Sequence, residues 1–63
     1  MTVESMGWGV SRLHMPNVGY ADVAAVYSAD VRGWDVDVVA TNVTDGAKLN
    51  AMVAEFRRTE GMA

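Results

Sequence analysis

The sequence predicts an α+β fold, a three-stranded antiparallel β-meander packed by one C-terminal α-helix (βββα). Three observations point there. Three segments alternate apolar and polar residues with period two, clusters of turn-forming residues separate them, and the last segment repeats its apolar residues at helical spacing. The alternative order is βαβα.

The helix, at 45–59, carries the clearest pattern. Leu49, Met52, Val53 and Phe56 fall at i, i+3, i+4 and i+7 and form one stripe. Thr44 is the expected N-cap, and Asp45 suits the positive end of the helix dipole. Arg57 and Arg58 suit the opposite end, and Gly61 can terminate the helix.

The strands are expected at 6–14, 20–29 and 34–42. In the third, Trp34, Val36, Val38 and Ala40 point one way, and Asp35, Asp37, Val39 and Thr41 the other. In the second, four alanines also suit a helix, but helical spacing would set Asp30 within an apolar stripe of Val23, Val26, Tyr27 and Val31. As a strand it places Ala21, Val23, Ala25, Tyr27 and Ala29 on one side, and that pattern is cleaner. In the first, Met6, Trp8, Val10 and Arg12 alternate with Gly7, Gly9, Ser11 and Leu13, a strand weakened by its glycines. Breaks fall at Met15-Pro16-Asn17-Val18-Gly19, at Asp30-Val31-Arg32-Gly33 and at Asn42-Val43-Thr44-Asp45-Gly46. The expected core sets the helix stripe against Trp34, Val36, Val38, Val23 and Tyr27.

At 63 residues the chain is read as one small domain with a thin core. It has no cysteine, so neither a disulfide nor a thiolate metal site reinforces it, and pairing with a second copy is one remedy. Apolar residues make up 51% of the chain, too many for a disordered segment. No apolar run approaches the roughly 20 residues of a membrane span, and Met1-Thr2-Val3-Glu4 does not begin like a secretion signal. A cytoplasmic protein is expected, and Asn42-Val43-Thr44 is read as a chance match to the glycosylation triplet.

The net charge of −3 is concentrated in the middle of the chain. Asp22, Asp30, Asp35, Asp37 and Asp45 against Arg32 give residues 22–45 a net −4. Such a balance disfavours direct binding of nucleic acid or of an anionic membrane. Asp35 and Asp37 share a strand face about 7 Å apart. With Asp22 or Asp30 they could gather round a hard cation, although an ordinary solvated face explains them more simply.

No catalytic constellation emerges. His14 has no nucleophile or carboxylate near it in sequence, and Ser11 points to the opposite strand face. Lys48, Arg57 and Arg58 fit the helix dipole better than a phosphate site. Gly7-Trp8-Gly9 lacks the Lys and Ser/Thr of a phosphate loop.

The expected function is therefore a small non-enzymatic protein-binding module, such as a regulator, inhibitor or accessory subunit, with no cofactor. Its expected surfaces are the acidic residues Asp22, Asp30, Asp35 and Asp37, facing a partner with a basic surface, and an apolar patch near Trp8. The alternatives are a structural homo-oligomer joined through strand edges and a carboxylate metal-binding module.

Overall fold

A computed structural model describes residues 1–61. It contains four strands and one helix: β1 (Thr2–Gly7), β2 (Val10–Met15), β3 (Gly19–Ser28), β4 (Gly33–Thr41) and α1 (Gly46–Glu60). The strands form one antiparallel sheet in the order β1-β2-β3-β4. The α+β meander with a C-terminal helix is as expected, but it has four strands rather than three. The segment 19–28 is a strand, so the βαβα order does not apply.

The extra strand comes from splitting the expected first one. Gly7, Trp8 and Gly9 have φ of 80°, 57° and 77°, so the backbone reverses there instead of running on. Trp8 and Gly9 form a two-residue turn with both φ positive, the type I′ pattern that matches the twist of paired strands. Asn-Gly is the usual sequence for that turn, and Trp-Gly does not announce it. Met6 is left over as a bulge between the pairs Ser5↔Ser11 and Gly7↔Val10.

The second turn is built as its residues suggest. The Val18 amide donates to the Met15 carbonyl at 3.2 Å, Pro16 occupies the second position, and Asn17 takes a φ of 60° at the third. This is the type II arrangement. Gly19 follows with φ 125°, and a Cβ there would collide with the Asn42 amide. That close approach lets Asn42 Oδ1 accept from the Tyr20 amide at 2.6 Å. Thr41 Oγ1 also donates to the Tyr20 carbonyl at 2.8 Å, and the Val43 amide donates to the same hydroxyl at 2.9 Å. The exit from β4 is thereby tied to the start of β3.

From there the chain enters α1. The N-cap is Asp45 rather than Thr44, because its carboxylate reaches the amides of Ala47 and Lys48 at 2.9 and 3.3 Å. Gly61, at φ 73°, closes the helix by donating its amide to the Arg57 carbonyl.

The core lies between α1 and one sheet face. Met52, Val53 and Phe56 are buried, with Leu49 partly so. They meet Leu13, Ala21, Val23 and Val36, with Val38 packed beside them and Val43 closing the end. Two expected core residues are absent from this set: Trp34 is 61% and Tyr27 55% exposed. Both lie on the helix side of the sheet but beyond the reach of α1. Leu13, fully buried, takes the central place instead. Along β4 the expected alternation holds from Trp34 to Val38. A bulge then reverses it, so that Thr41 pairs with Ala21 and Ala40 with Asp22.

Leu13→Ala is expected to cost about 2–5 kcal/mol, a large share of the stability of a domain this small. Trp34→Ala should cost far less, mainly the Tyr27 contact at roughly 0.5–1.5 kcal/mol. Urea titrations of both variants check this, and the reverse order would contradict the placement of the core.

Candidate functional site

Among the described residues, nothing covers the sheet face opposite α1. Antiparallel partners share a face, so the pairings place Glu4, Arg12, Asp22 and Ala40 in one row across it and Thr2, His14 and Tyr20 in the next. Arg12 donates from Nε and Nη2 to the two carboxylate oxygens of Asp22, at 2.7 and 3.0 Å. The same guanidinium lies 4.3 Å from the centre of the Tyr20 ring. His14 Nε2 sits 3.3 Å from Glu4 Oε2, an ion pair when the imidazole is protonated. These contacts knit three strands together on the face that has no hydrophobic cover.

The hydrogen bonds from Arg12 hold the Asp22 carboxyl below its ordinary range, and the same bonds raise the Arg12 guanidinium.

The four aspartates of the expected acidic surface are thus not equivalent. Asp22 is engaged by Arg12. Asp35 forms an ion pair with Arg57, and its Oδ1 accepts from the Val36 amide at 2.8 Å. Asp37 is exposed on the open face beside Ala24, and Asp30 lies exposed in the β3–β4 turn. Neither has an ion-pair partner among the described residues. The four do not converge: no group of three or more potential metal ligands occurs among the described residues. Nor is any pocket present among them, so the exposed features are faces, edges and tips.

Trp8 occupies such a tip. It is fully exposed, and its left-handed backbone costs a residue with a Cβ about 1–2 kcal/mol. Among the described residues, no contact of the indole offsets that cost. The β3–β4 hairpin projects from the same end of the sheet. Val10, the first residue of β2, pairs with Ala24, so Ala25–Ser28 overhang β2 by about 13 Å. Along this overhang Tyr27 and Trp34 meet edge to face, with ring centroids 5.5 Å apart. On the same hairpin, Val26 on the opposite face and Val31 in the turn are 43% and 69% exposed.

Both tryptophans and one of the two tyrosines are therefore exposed at one end of the molecule. The sequence flagged Trp8 but assigned Trp34 and Tyr27 to the core. The available signal was length: a helix of fifteen residues cannot follow a ten-residue strand to its tip while also crossing three strands.

Comparison with protein-family models, with curated proteins and with solved structures found no match for this chain.

The Asp22 shift has a definite sign. Its folded pKa lies below its unfolded one, so its contribution to stability is complete above about pH 4 and is lost as the pH falls through the lowered value. Asp22→Asn is expected to flatten the acid limb of the stability curve, measured by thermal melts in stepped acidic buffers. An unchanged limb would remove Asp22 from the acid transition.

Proposed function

We propose that the chain is a small non-enzymatic protein-binding module that engages its partner through the aromatic end, with Trp8 as the anchor. The observation that carries this reading is a fully exposed indole in a left-handed turn position, where it strains the fold. An indole covering roughly 200 Å² on binding, at about 25 cal/mol/Å², releases about 5 kcal/mol before the costs of ordering. That exceeds the backbone strain severalfold, so the arrangement is costly in the free protein and favourable in a complex. Tyr27, Trp34 and Val31 extend the apolar contact, as expected of a hot spot with near-neutral surroundings.

Of the four expected aspartates, Asp30 and Asp37 remain to guide a partner, since Asp22 and Asp35 are neutralised within the molecule. The partner surface that fits is an apolar pocket with basic groups near its rim. Asp22 and Asp35 act here through the fold, holding the sheet and its edge.

Trp8→Asn separates anchor from scaffold. Asparagine favours the left-handed turn position, so the variant should gain about 1 kcal/mol of stability. It should also lose a species that the parent chain captures from an extract of its native host. Asp37→Asn should keep that species and slow its association, most visibly at low salt. If the Trp8→Asn and parent chains capture the same proteins equally, the aromatic end is not the working surface.

A further inference from the structure

The two edges of the sheet are unlike. On β4, Val36 has both backbone polar groups occupied by side chains: its amide donates to Asp35 Oδ1 at 2.8 Å, and its carbonyl accepts from Arg57 Nη2 at 3.4 Å. Asp35 and Arg57 also pair with each other, so a charged clip sits across that edge. A further strand cannot pair there without breaking it.

Among the described residues, nothing comparable exists on β1. All six residues of β1 are exposed, no side chain among the described residues bonds its backbone, and neither proline nor lysine interrupts it. Val3 pairs with Leu13, and Leu13 with Ala21, so the three form a row on the helix side. Leu13 and Ala21 are fully buried, whereas Val3 is 42% exposed because the row stops there.

We propose that β1 pairs antiparallel with β1 of a second copy of this chain, with Val3 on the two-fold axis, to make a closed dimer with a continuous eight-stranded sheet. An axis normal to the sheet keeps both helices on one side and must pass through a residue position. Placed at Glu4, it would set two carboxylates directly opposite each other. Placed at Ser5, it would run the pairing into the Met6 bulge, which twists the strand away. At Val3 it sets Glu4 opposite Thr2 of the second copy and joins the two apolar rows end to end. Of these three registers, the edge is complementary to itself in one. Because β4 is clipped, each chain offers one pairing edge, and the assembly stops at two copies rather than growing into a fibre. This inference does not depend on the aromatic end, which lies outside the pairing.

The sequence has no cysteine, so single-cysteine variants report the register directly. In the proposed dimer the two Val3 Cα atoms lie about 4.5–5.5 Å apart, within disulfide reach. Those of Glu4 lie about 8 Å apart and those of Ser5 about 14 Å. Under mild oxidation the Val3→Cys chain should form a covalent dimer quickly, while Glu4→Cys and Ser5→Cys form it slowly or not at all. By sedimentation across micromolar to millimolar concentrations, the parent chain should approach twice its 6.8 kDa mass. Trp8→Asn should do the same, and Val3→Lys should remain a monomer. Equal cross-linking at all three positions, or a parent chain that stays monomeric throughout, would overturn the proposal. So would association that survives Val3→Lys and disappears in Trp8→Asn, since that result places self-association at the aromatic end.

Discussion

A single fifteen-residue helix, about 22 Å long, covers a four-stranded sheet whose longest strand runs about 33 Å. That shortfall governs the rest of the structure. Where Met52, Val53 and Phe56 reach the sheet, Leu13, Ala21, Val23 and Val36 become a core. Where the helix stops short, apolar side chains of the same strands, on the same face, stay in water. Val3 on one flank and Trp34 with Tyr27 at one end are core-phase residues without a lid. The apolar surface of the molecule is the part of a strand pattern that one helix cannot cover.

The polar contacts lie where the helix gives no help. Arg12 with Asp22 and His14 with Glu4 tie β1, β2 and β3 on the uncovered face, where apolar burial is not available. Arg57 reaches from the last turn of α1 to the β4 edge, so one residue anchors the helix and closes that edge. Among the described residues its Nε is buried without a partner, a cost consistent with its position being set by the edge contacts rather than by its own solvation. Exposed pairs of this kind contribute little stability each. Their effect is on specificity: they settle which sheet edge is blocked and which of the four aspartates stay unpaired among the described residues.

Much of the fold was legible in the sequence, because period-two and helical patterns are direct consequences of which side chains need cover. The helix stripe, the strand at 19–28 and the Pro16-Asn17 turn all follow from local residue chemistry. The first hairpin was not legible. Its turn is set by Gly7 and Gly9, while Trp8 takes a conformation that its side chain disfavours. Alternation across 6–14 therefore passed for one continuous strand. The misassigned aromatics have a different cause. Strand phase says which face Trp34 and Tyr27 share, but not how far along that face the helix extends. The same gap kept Leu13 out of the expected core. The pairing of Asp22 with Arg12 depends on cross-strand register, which turn lengths set and composition does not reveal.

The exposure of both indoles has an optical consequence. In most small domains a tryptophan leaves an apolar interior on unfolding, and its emission moves toward the red. Here Trp8 is already in water and Trp34 mostly so. Intrinsic fluorescence is consequently a poor reporter of unfolding for this protein, since its chromophores change surroundings little when the core opens. The same chromophores would respond strongly if another surface closed over them. The protein thus carries a built-in spectroscopic reporter of contact at its aromatic end rather than of its own folding.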